Sequence, residues 1–198
     1  MDYIVSFPDL EVKKILIDEA KDWLIRPFTL KETMMALFQM NPEKAPGPDG
    51  FNASFYQRNW DILDMSIYEA FSSFISGKLL KEVNHTFLTL VPKVFDSFNL
   101  VDFRPISCCN VLCKLISKLL SNRLQAVITE LIFPNQSAFI KGSQISDCSL
   151  LAHELIRDIR KKQSPKGCCL KIDLHKTFDS VNGDFVVANM KRMGFPYK

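Results

Sequence analysis

Asp173 stands near the end of the run CCLKIDL at 168–174 and is followed by Lys176, Phe178 and Asp179. A carboxylate at the end of an apolar strand offers hard oxygen ligands at a sheet edge, a placement suited to Mg²⁺. An acidic residue there also caps the following turn, and on this segment alone capping is the commoner role. Metal chemistry elsewhere is harder to build. Cys108, Cys109, Cys113, Cys148, Cys168 and Cys169 include two adjacent pairs, which suit neither a C-x-x-C zinc knuckle nor a spaced disulfide framework. Reduced, packed thiols of an intracellular protein are the expectation. His85, His153 and His175 all lie outside ligand spacing of a cysteine pair.

These residues need elements to position them. Cys168 to Leu174 reads as a strand, preceded by the breaker QSPKG, and Asp184 to Met193 reads as a helix stopped by Gly194 and Pro196. Upstream, Thr29-Leu-Lys-Glu32 has the form of a capping box ahead of Met34, Met35, Leu37 and Phe38, which predicts a helix to about Met40. The stretch NPEKAPGPDG, Asn41 to Gly50, cannot continue a helix and must form a loop. Helical spacing returns from about Trp60 to Ser76, with Gly77 as the stop. Thr86 to Val91, closed by Pro92, reads as a buried strand. From Leu112 to Leu131 apolar residues recur at intervals of three and four, a core stripe that leaves Lys114, Ser117 and Lys118 on the other face. One more helix, about Asp147 to Lys162, lines up Leu150, Leu151, Leu155 and Ile159.

A hydrophobic fraction of 47% is enough for a globular core. No apolar stretch approaches bilayer length and Met1 to Asp22 lacks the pattern of a secretory leader, so the expectation is an intracellular protein, cytoplasmic or nuclear, without a membrane. Charge divides unevenly. Residues 1–100 hold 10 Lys and Arg against 14 Asp and Glu, whereas residues 101–198 hold 15 against 8, so the net +3 splits into −4 and +7. The second half is the better phosphate-facing candidate, although Arg157, Arg160, Lys161 and Lys162 also fit the solvated end of a helix.

Five segments carry a resemblance. KAPGPDGF at 44–51, LVPK at 90–93, DFRPIS at 102–107, NQSAFIKG at 135–142 and KIDLHKTFDSVN at 171–182 occur in an order and spacing that resemble reverse transcriptases of non-LTR (LINE-type) retrotransposons, particularly the plant elements. The likeness runs from about Thr29 to Tyr197. It implies an α+β fold: helix-rich fingers over 29–166, then the first part of a right-hand polymerase palm over 167–198 with an incomplete sheet, preceded by a helical lead-in over 1–28.

By the same resemblance Asp173 is the first catalytic aspartate and a ligand of the Mg²⁺ ions in two-metal phosphoryl transfer. Phe178 matches the bulky residue that crowds the sugar 2′ position and favours deoxynucleotides. Lys93 and Arg104 match fingers cations that hold the nucleotide phosphates; a strand-end lysine and a structural ion-pair arginine are the alternatives. Lys44 and Gln136 are candidates for contact with nucleic acid, and packing is the expectation for Phe139. Template RNA, DNA primer and deoxynucleotides are the implied partners. The alternative is a remnant that binds RNA or an RNA–DNA hybrid without catalysis.

The pattern also has departures. Ser143, Cys148, Thr177 and Gly183 stand where the family usually has Arg, Asn, Ala and Trp, and the glycine is expected to lower stability by removing buried area. No aromatic-Ala-Asp-Asp block follows Asp173, so the isolated chain is expected not to polymerise DNA. The palm strand, lacking that neighbour, is expected to expose an edge prone to self-association.

Overall fold

The backbone N–H of Glu32 donates to the Thr29 hydroxyl at 3.2 Å, and that of Thr29 donates to the Glu32 carboxylate at 2.8 Å. This is the expected capping box, and it starts helix α2 at Leu30–Phe38. It is seen in a computed structural model that describes residues 14–77, 81, 83–133, 136–140, 142, 144–159, 161, 168, 170–173 and 180–196. Before α2 comes α1, Asp18–Ile25; after it come α3, Ala53–Arg58, and α4, Trp60–Ile75. Asn52 caps α3 by accepting the Phe55 amide hydrogen at 3.1 Å. At the end of α4 the chain turns at Gly77, whose φ of 85° suits glycine. Strands β1, Thr86–Pro92, and β2, Phe103–Cys109, then form an antiparallel hairpin, followed by α5, Val111–Leu131, α6, Ile145–Ile159, and α7, Gly183–Arg192. The fold is α+β.

The chain forms two compact units, Pro27–Arg123 and Met1–Arg26 with Leu124–Lys198. In the first, Leu37 of α2, Ile67 and Phe71 of α4, and Leu115 and Leu119 of α5 form the core. Gln57 on α3 donates to the carbonyls of Leu37 and Met40, which satisfies acceptors at the end of α2. In the second unit, Leu16, Val127 and Leu131 are buried among Ala20, Trp23, Leu24 and Phe195. The Leu16 amide donates to the Met193 carbonyl at 2.9 Å.

Two expectations about strands are corrected. β1 is exposed along its whole length, not buried, because β2 is its one neighbour and nothing described covers either face. Over Cys168 and Leu170–Asp173, the described part of the expected palm strand, there is no strand pairing. Extended backbone is stabilised by a neighbour that takes its N–H and C=O groups, and the sheet of the described residues has β1 and β2 alone. β2 itself was hidden in the sequence by Pro105, which a two-stranded ladder tolerates because each strand has a free edge.

Candidate functional site

The hairpin positions two of the expected phosphate ligands. Val91 pairs with Arg104 and Pro92 with Phe103, and the Lys93 amide continues the ladder by donating to the Asp102 carbonyl at 2.7 Å. Directly opposed residues of an antiparallel pair share a face, and so do alternate residues of a strand. By this register Lys93 and Arg104 lie on one face of the hairpin. Both are exposed. The Lys93 ammonium donates to the Val101 carbonyl at 2.6 Å, which folds it over the hairpin's own connection. Arg104 forms no ion pair among the described residues.

Asp173 is exposed, outside any helix or strand, and belongs to the other unit. Phe178, with Lys176 and Asp179, lies outside the described residues. Among the described residues no group of three His, Cys, Asp or Glu side chains is arranged to hold a metal ion. Mg²⁺ requires a near-octahedral oxygen shell, of which one carboxylate supplies a part. The described residues therefore do not form a metal site, and no chemical step is derived through one.

Gln136 is exposed, and its amide donates to the Ala138 carbonyl at 3.3 Å within its own loop. Phe139, expected to be packed, is 84% exposed and has a positive φ of 65°. A Cβ on Gly183, at the exposed start of α7, would meet no described atom within 4 Å.

The proline-rich loop is docked against the start of α5. Gly47 is buried, and a Cβ on it would lie 2.3 Å from Asn110 Oδ1 and 2.6 Å from Asn110 Cα. Asn110 is 4% exposed and its Oδ1 accepts the Asp49 amide hydrogen at 3.2 Å. Burial first, then the charge of Asp49 and a hydrogen bond to it, pushes the pKa of Tyr56 up to about 12. Lys114 on α5 donates to the Ala45 carbonyl at 3.0 Å. Beside this contact a cleft of about 430 Å³ has Lys44, Lys114 and Lys118 in its wall. Lys44 was a candidate from the sequence. Lys114 and Lys118 read there as a solvated helix face; their spacing of four was the one signal that they act together.

Residues 92–198, over half of the chain, match the family model described as reverse transcriptase (RNA-dependent DNA polymerase). Lys93, Arg104, Gln136, Asp173 and Phe178 fall within that match, and Lys44 lies before it. The chain is 30% identical over 182 residues to the transposon TX1 uncharacterized 149 kDa protein of Xenopus laevis, an alignment covering 91% of this chain and 14% of that protein. It is 26% identical over 171 residues to the retrovirus-related Pol polyprotein from type-1 retrotransposable element R2 of Popillia japonica, covering 85% of this chain and 23% of that one. The chain thus spans less than a quarter of the length of either curated relative. No helix among the described residues is long and apolar enough to cross a membrane.

Proposed function

This chain belongs to the reverse transcriptase (RNA-dependent DNA polymerase) family, in its non-LTR branch, and we propose that it is the fingers and opening palm segment of a plant-type retrotransposon polymerase. Its part in nucleotidyl transfer is to hold the incoming deoxynucleotide and present the first catalytic carboxylate. The observation that carries this reading is the family match over 92–198 together with the motifs LVPK, DFRPIS and KIDLHKTFDSVN inside it.

Arg104 and Lys93 take the triphosphate. A guanidinium with no ion pair among the described residues keeps its donor fork for bidentate phosphate contact, and an ammonium adds a point charge on the same face. Phe178 selects the deoxyribose, Lys44 and Gln136 touch nucleic acid, and residues 29–166 and 167–198 serve as fingers and start of palm. The family uses a divalent metal. Mg²⁺ at Asp173 needs further oxygen ligands that the described residues do not supply, so nucleotide holding rather than turnover is the activity to measure. RNA template and DNA primer are the macromolecular partners.

Photolabelling tests the reading. With a photoreactive deoxynucleoside triphosphate, the label is expected within Thr86–Cys109, and Arg104→Ala should lower it about tenfold, the order of a charge-assisted hydrogen bond. Labelling spread over the whole chain, or undiminished in the variant, would remove the basis for this assignment.

A further inference from the structure

We propose that the cleft walled by Lys44, Lys114 and Lys118 is a phosphodiester-binding site that holds the backbone of a single-stranded nucleic acid. The identity of the ligand rests on the reverse transcriptase reading; the site itself rests on the geometry of one compact unit. Three lysines and no acidic residue line the cleft. Lys114 and Lys118 are one helical turn apart on α5, where like charges repel, and the 41–50 loop brings Lys44 to the same wall. An anion in the cleft relieves that repulsion.

The fold tethers one of these cations, Lys114, and fixes the backbone of the loop that carries another before any ligand arrives. Lys114 is tethered to the Ala45 carbonyl. The loop that carries Lys44 is fastened by the Gly47 contact and by the Asp49 amide on Asn110. An anion entering the cleft therefore meets one ammonium and the loop backbone already ordered, which lowers the entropic cost of binding. The apolar side chains of Met40, Ala53 and Val111 also line the cleft, and such low-dielectric walls strengthen the field of the lysines. Lys114 and Lys118 are separated by about 6 Å along the helix axis. Two cations so spaced address successive positions on an extended anion, which favours a polynucleotide over a single phosphate. Lysine ammonium groups read charge rather than sequence, so RNA and DNA single strands should both bind.

The test is fluorescence anisotropy on residues 1–198 with one labelled single-stranded oligonucleotide made as RNA and as DNA. Lys44→Gln/Lys118→Gln is compared with Lys31→Gln, the same type of change at an exposed position of α2 outside the cleft, and circular dichroism melting verifies that each variant folds. The double variant should bind both strands about tenfold more weakly, and its slope of log affinity against log salt should become shallower by about 1.4, two phosphate contacts on a single strand. Parental binding unchanged in the double variant, or equalled in loss by Lys31→Gln, overturns the cleft and leaves the polymerase reading standing. No binding by the parental chain at low salt overturns both. Displacement by polyglutamate as efficient as by unlabelled oligonucleotide overturns the cleft in favour of an acidic peptide.

Discussion

Gly47 has to be glycine because of proximity rather than backbone conformation. The atoms that a Cβ would meet include the backbone N and Cα of Asn110, which cannot rotate away as a side-chain tip can. Gly47→Ala must therefore push the loop off α5 or shift the helix start, an overpacking change of about 2 kcal/mol. For a chain of this size that is a fall of about 4–8 °C in melting temperature, read by circular dichroism. A variant that melts with the parent would mean the loop is not seated on Asn110. At the same scale, Arg104 and Arg123 show how one residue type divides between roles. Arg123 is 6% exposed, forms a bidentate pair with Glu32, donates to the Pro27 carbonyl at 3.0 Å and stacks over the Phe28 ring at 3.5 Å. Arg104 is exposed on the hairpin. The structural arginine is the one that the motifs do not mark.

At the scale of elements, Glu32 does two jobs, closing the capping box of α2 and tying that helix end to α5 through Arg123. Desolvation is the largest influence on its carboxyl and raises the pKa, but the hydrogen bonds from Arg123 and Thr29 together with the charge of Arg123 outweigh it, so the folded value lies below the ordinary glutamate range. A carboxyl depressed by folding adds stability that is present above its unfolded pKa and lost as pH falls through the folded one. Unfolding free energy should therefore decline as pH drops below the ordinary glutamate range, and Glu32→Gln should flatten that decline. At neutral pH the same variant should lose about 1–3 kcal/mol, because Arg123 stays buried without its counter-charge while Glu32 itself is partly solvated. Denaturant melts at neutral and acidic pH give both quantities; an equally steep acid decline in the variant would assign the effect to other carboxylates.

Across the whole molecule, apolar surface lies outside the cores. On α6, Leu150, Leu151 and Leu155 are 64%, 57% and 51% exposed, and Phe95 and Phe98 beside the hairpin are almost fully so. Such patches attract apolar dyes. An environment-sensitive dye should brighten on the folded chain, and Leu150→Gln/Leu155→Gln should reduce that signal while helix content is retained. A dye signal unaffected by the double change would place the accessible apolar surface elsewhere, with the hairpin the next candidate.

The helices were legible because their causes are local. The Thr29–Glu32 box acts over three residues, the α5 stripe repeats every three or four, and Gly77 and Gly194 stop their helices through their own φ. α3 was missed because six residues carry too little periodicity to stand out, although Asn52 was a usable cap signal. The motif residues were equally legible, Lys93, Arg104 and Asp173 by the segments around them. Burial and the grouping of charges were not, because they depend on which distant segments meet. Arg123 finds Glu32 across 91 positions, and the Asp49 amide finds Asn110 across 61. The sequence by itself determined the family and the longer helices, and it named Lys44, Lys93 and Arg104 as candidates. Tertiary structure alone decided that β1 stays exposed, that Gly47 has no room for a side chain, and that Lys114 and Lys118 line a cleft with Lys44, since each depends on a surface supplied from elsewhere in the chain.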